Sequence, residues 1–205
     1  METKSSFIIK AVRQLLDHDF SVLLYNAEQL EDSCGGWCWI DDDENKREFA
    51  VAMKHHMGFE IFIHEYCHFL QWKNDRQFWN NHTTSYDLLF DWIEDKDLVA
   101  EEKDLQHSLE SILTIEHDCE SRVLKLLKHN PVLEFDTTKY IKAVNAYLWS
   151  YHLNKELRQR PNKPIYTEKV LESMSDTFES LLFYIDKSNL NAQTKQSLLV
   201  EYQTN

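Results

Sequence analysis

The sequence predicts an α+β fold that is mainly helical, and three observations carry that expectation. Only three glycines and three prolines interrupt 205 residues, so long stretches run without punctuation and favour helices. Apolar residues recur at three- and four-residue intervals over most of the chain, the spacing of one helix face. One early stretch departs from this pattern: two short apolar runs flank a polar turn, the signature of a β-hairpin. With 42% apolar and 13% aromatic residues, the composition suits a globular chain that can bury a sizeable core. The expected organisation is a single domain over 1–205. Residues 1–72 form its N-terminal part with a small sheet, and residues 73–205 its helical part.

Taken in order, Phe7, Ile8, Val12, Leu15 and Leu16 predict an amphipathic helix over 5–18. Ser21 to Tyr25 is apolar and β-branched enough for a short strand. Trp37 to Ile40 and Phe49 to Met53 form the hairpin around Asp41 to Lys46, and the acidic run Asp41 to Glu44 is a solvated turn. Phe59, Phe62, Ile63, Tyr66 and Leu70 then set a helix over 59–72, apolar on most sides and so expected to be largely buried. Residues 73–85 are polar and predict a loop, after which Leu88, Leu89, Trp92 and Ile93 resume a helix. A longer helix runs over 101–128 and stops before Asn130-Pro131. Asp136, Thr137 and Thr138 can cap another that continues to Arg158, where Pro161 and Pro164 intervene. Val170, Leu171, Met174, Phe178, Leu181, Leu182 and Ile185 mark one further helix, and Leu198-Leu199 the last.

Charge narrows the partners. The net charge of −13 repels nucleic-acid backbones and anionic membranes, so neither is expected. No apolar run reaches 18 residues, and the first residues lack a signal peptide's layout. The four cysteines, Cys34, Cys38, Cys67 and Cys119, are too sparse for a disulfide framework and suit a reducing compartment. The expectation is a cytoplasmic protein.

The chemistry concentrates at His64-Glu65-Tyr66-Cys67-His68, an H-E-x-x-H pattern. On a helix, positions i and i+4 lie one turn apart on one face. Two imidazoles there can share a tetrahedral Zn²⁺, while the Glu beside the first serves as general base to a metal-activated water. The helix over 101–128 supplies the rest. Its core stripe is Leu105, Leu109, Ile112, Leu113, Val123, Leu124 and Leu127. Glu116 lies within about 20° of Leu109 and Val123, and Glu120 about 40° further round. Carboxylates on a core face ask for a cation or strong donors. Glu116 is therefore expected as the third ligand, with Glu120 bonded to the outer nitrogen of a ligating histidine. A small rotation of the helix exchanges the two glutamates. The plainer alternative is an ion pair with Arg122 or another core cation.

H-E-x-x-H followed downstream by a helix bearing E-x-x-x-D/E resembles the gluzincins, zinc metallopeptidases whose third ligand is a glutamate. The stretch Ile115-Glu116-His117-Asp118-Cys119-Glu120-Ser121-Arg122 is also similar to one in small proteins of tailed bacteriophages, some assigned as peptidases. The clan resemblance covers residues 36–120, and the phage resemblance extends weakly to about 166. Glu120 stands where the clan commonly has Asp, and the 47 residues between His68 and Glu116 exceed the spacers of several subfamilies. The resemblance implies a minimal zincin-like core of N-terminal helix, small sheet and motif helix, with a helical C-terminal subdomain. It also implies one catalytic Zn²⁺, a protein or peptide substrate and, for a phage-encoded chain, action in the host cytoplasm.

Weaker candidates remain. Tyr151 or His152, on the helix over 137–158, can supply the donor that stabilises an oxyanion, although tyrosines at helical spacing are more often core. Trp37 and Trp39 can wall a cleft or simply pack the sheet. Cys34 and Cys38 lack the second pair that a zinc knuckle requires. His55 and His56 suit surface positions, and Cys67 and Cys119 buried thiols. Two rival functions stand beside the peptidase. One is a binding or regulatory protein that keeps the fold without turnover. The other is a di-iron carboxylate protein, built from Glu65-x-x-His68 with Asp104-x-x-His107 as the nearest second motif.

Overall fold

Thr3 and Ser6 start the chain's first helix by capping each other's backbone amides, at 3.1 and 2.8 Å, a reciprocal box that satisfies two orphan donors. The structure, a computed structural model, describes residues 3–30, 34–41, 46–130 and 135–203. Helix α1 (Lys4–Leu16) leads into β1 (Ser21–Tyr25), then β2 (Gly36–Asp41), β3 (Lys46–Ala52) and helix α2 (Gly58–Asn74). Helices α3 (Arg76–Thr83), α4 (Asp87–Glu94), α5 (Glu102–His129) and α6 (Thr137–Leu157) follow. Short helices α7 (Glu168–Ser173), α8 (Leu181–Ile185) and α9 (Ala192–Leu199) end the order. The fold is α+β and mainly helical, as expected.

Packing divides the chain into two compact units: residues 1–78 with 119–135, and residues 79–118 with 136–205. Of helix α5, residues 102–118 belong to the second unit and 119–129 to the first.

In the first unit the sheet order is β1-β3-β2, with β3 parallel to β1 and antiparallel to β2. Central β3 is covered on both faces, so Phe49, Ala50, Val51 and Ala52 are fully buried. Phe49 meets Phe62 of α2 edge to face, with ring centroids 5.2 Å apart. On the opposite face Ala50 and Ala52 are small enough for Leu30 and Trp37 to close over them. Helix α1 adds Phe7, which packs edge-on against Phe59, Phe62 and Tyr66 of α2. Helix α2 is consequently buried on most sides, as its sequence predicts.

In the second unit α6 is the central helix, packed by α4, α7 and α9. Asp136 caps its start by accepting from Lys139 N at 2.9 Å. Arg158 ends it in the left-handed region at φ 48° and donates to the carbonyls of Trp92, Asp95 and Leu98.

Two expectations are corrected. Residues 73–85 are not a loop, because α3 fills 76–83. Asp75 accepts from Phe78 N at 3.0 Å, which starts a turn that the polar composition conceals. Residues 170–185 are not one helix but α7 and α8 with an extended break. There Asn145 Nδ2 donates to the carbonyls of Ser175 and Thr177, capturing backbone groups that a helix would pair internally. Most of the acidic run Asp41 to Glu44 lies outside the described residues. Among the described residues no helix is long and apolar enough to cross a membrane.

Candidate metal centre

One turn of α2 separates His64 from His68, and both rings turn toward each other rather than to solvent. Their planes are nearly perpendicular, with centroids 4.7 Å apart. Nε2 of one stands 3.1 Å from Nε2 of the other.

The outer nitrogens determine what that contact means. His68 Nδ1 is 2.7 Å from Oε1 of Gln71, itself fully buried one turn further along α2. His64 Nδ1 is 2.9 Å from Oε1 of Glu120 on α5. A carboxylate and an amide oxygen only accept, so each Nδ1 carries the hydrogen, and in a neutral ring each Nε2 then holds a lone pair. Two lone pairs 3.1 Å apart repel, and either a proton held by one ring as imidazolium or a metal cation between the rings removes that repulsion. Tetrahedral zinc with Zn–N bonds of about 2.05 Å sets its ligand nitrogens about 3.3 Å apart. The histidine pair fits that requirement.

Other parts of the first unit complete the surroundings. Glu65 and Glu120 are both buried, so a charge on either is poorly solvated and a nearby cation would stabilise it. Glu65 lies under β2. A side chain at Gly36 would come within 3.2 Å of Glu65 Cγ and 2.9 Å of Ala50 O, so glycine is what lets strand and helix approach so closely. Burial, and after it the Glu65 charge, push the Cys38 thiol well above its usual range. Cys38 and Gly36 pair with Phe49 and Val51, and thus share their face toward α2. Trp37 and Trp39 occupy the opposite face of β2: Trp37 donates to Glu48 Oε1 at 2.7 Å, and Trp39 is about half exposed.

Cys119 is a buried free thiol, as its place on the helix suggests. Its Sγ is fully buried, donates to His64 O at 3.2 Å and lies 3.7 Å from His64 Nδ1. One donor atom each from His64, His68 and Cys119 lie within 4.8 Å of one another.

The remaining sequence candidates lie in the second unit. Glu116, one turn before Glu120 on α5, is buried and accepts from Tyr86 Oη at 2.9 Å. Tyr151 is buried with its hydroxyl bonded to that of Tyr147. Burial, then the Glu116 charge, raise both phenols well above the ordinary value. His152 is buried with its Nε2 2.7 Å from Tyr184 O, so that nitrogen is the donor to a main-chain carbonyl. Burial lowers its pKa from 6.5, and the Tyr184 bond only partly offsets this. Asp104 and His107 are exposed on α5, which leaves Glu65-x-x-His68 without a buried counterpart there. No protein-family model, curated protein or solved structure matches this chain.

Proposed function

We propose that the chain is a zinc-dependent metallopeptidase whose metal is held by Nε2 of His64 and His68. The observation that carries this reading is the pair of Nε2 atoms 3.1 Å apart, each with its Nδ1 held by an acceptor. A bound divalent metal supplies a Lewis acid that polarises a carbonyl and eases deprotonation of water. Glu65 is about 100° round α2 from His64, beside the pair without belonging to it. Its carboxylate takes the proton from the attacking water and passes it to the leaving amine. Gln71 and Glu120 hold the two imidazoles in the tautomer that presents Nε2. Strand β2 lies at the sheet edge over Glu65, and an extended peptide can add to such an edge through main-chain hydrogen bonds.

The test is metal content together with Glu65→Gln. Wild type should hold about one zinc per chain. The variant should bind zinc and fold normally while losing on the order of 10²-fold or more in peptide hydrolysis. Wild type and variant are compared by the peptides each releases from a cell lysate. Identical profiles would favour the rival class, a binding protein that needs no base at position 65. Metal content of Glu116→Ala tests the carboxylate donor expected from sequence.

A further inference from the structure

We propose that the second unit holds a binding site for a small organic ammonium ion, walled by the rings of Trp149, Phe183 and Tyr184 and charged by Glu179. The site is a cavity of about 340 Å³ between α6, α8 and the extended break that precedes α8, at the small end of the range for ligand pockets. Its three rings do not stack. Trp149 meets Phe183 at 66° and Tyr184 at 55°, and Phe183 meets Tyr184 at 89°, with centroids 5.4–5.7 Å apart. Rings at such angles form a corner that turns aromatic surface toward one occupant from more than one side, the arrangement that attracts a cation to ring quadrupoles.

Charge points the same way. Glu179 is the one charged residue among those lining the cavity. Lys187 and Lys195, which bracket the lining residues 189–194 in sequence, both bond Glu156 instead. An ammonium ion drawn out of water into an aromatic corner needs a counter-charge, and an anion would be repelled. The walls are also fixed before any ligand arrives. Tyr184 Oη donates to Asn145 Oδ1, while Asn145 Nδ2 donates to the carbonyls of Ser175 and Thr177. Tyr184 Oη in turn accepts from Glu179 N at 3.2 Å, and Glu179 O accepts from His117 Nε2 at 2.9 Å. These bonds commit the Asn145 amide and the Tyr184 hydroxyl to the protein, so the occupant meets aromatic surface and one carboxylate. Preorganised walls spare it the cost of ordering them.

Choline is the probe, because its quaternary nitrogen has no lone pair to give a metal and its binding is therefore independent of the histidine pair. In proton–nitrogen NMR of the full-length protein, choline should shift the Trp149 indole N–H saturably, the signal being assigned with Trp149→Phe. Neohexyl alcohol has the same shape with carbon in place of the charged nitrogen, and it should bind about tenfold more weakly. Glu179→Gln keeps the size of the side chain and should lose most of that preference. A short peptide bearing trimethyllysine carries the same head on a protein chain. Saturation by both ligands makes a partner's side chain the occupant, and saturation by choline alone makes it a free small molecule. The absence of a saturable shift at Trp149, or equal affinity of the wild type for choline and neohexyl alcohol, overturns the proposal, and neither result depends on a variant folding. An unchanged preference in Glu179→Gln overturns the role of the carboxylate.

Discussion

Gln71 and Glu120 orient two different histidines by the same means, an oxygen acceptor on Nδ1. They are not equivalent, because Glu120 also brings charge. Gln71→Leu removes the acceptor and frees the His68 ring to turn. Glu120→Gln keeps shape and an oxygen but removes the charge. Each should weaken zinc binding by about 10–100-fold without unfolding the chain, measured by competition with a chromophoric chelator. Unchanged affinity in both would show that the metal is not held through the two Nε2 atoms. Glu120 was legible in the sequence, because helical arithmetic sets a carboxylate on an otherwise aliphatic stripe. Gln71 was not, since a polar residue three positions after a histidine is commonplace on any helix. Cys119 was legible as a buried thiol, because it falls on the core side of its helix.

Among elements, the contact that positions Glu65 is the close approach of β2 to α2. Gly36 permits it: an added Cβ would meet Ala50 O at 2.9 Å and Ile61 Cγ2 at 2.8 Å. Ile61 can rotate, but the carbonyl belongs to central β3 and cannot move without disturbing the sheet. Gly36→Val should therefore cost about 1–3 kcal/mol, as overpacking does, and lower peptide hydrolysis further by displacing Glu65. Chemical denaturation measures the first effect, and the ratio of rate to bound zinc the second. The hairpin, β1, α2, α5 and α6 were all legible because apolar period and punctuation agreed. Helix α3 was hidden because it buries no residue fully, so no apolar stripe announces it. The break between α7 and α8 was hidden for the opposite reason. Apolar spacing runs through Met174 and Phe178, while the interruption comes from Asn145 on α6, thirty or more residues away in sequence.

At the scale of the molecule, two units with different chemistry should lose stability under different conditions. His64, His68, Glu65 and Glu120 all belong to the first unit, so the proposed metal would stabilise that unit directly. At a hundredfold excess over Kd the linkage is worth about 2.7 kcal/mol. A chelator should thus accelerate hydrogen exchange along α2, and His64→Ala should abolish the sensitivity. The second unit carries His152, buried against Tyr184 O with its pKa lowered by desolvation. The unfolded chain binds this proton more readily than the folded one, so stability rises with pH across the interval between the two values. The contribution is complete above the ordinary imidazole value of 6.5 and is lost as pH falls through the lowered folded value. His152→Gln keeps an N–H for the Tyr184 carbonyl but has no proton to gain. Between about pH 7.5 and 5.5, on either side of the ordinary value, α6 amides of wild type should lose more protection than those of His152→Gln. The comparison is made on metal-free protein, so that protonation of His64 and His68 does not displace metal and mimic the effect. Equal loss in both proteins would mean that His152 is not the group whose charging loosens the second unit.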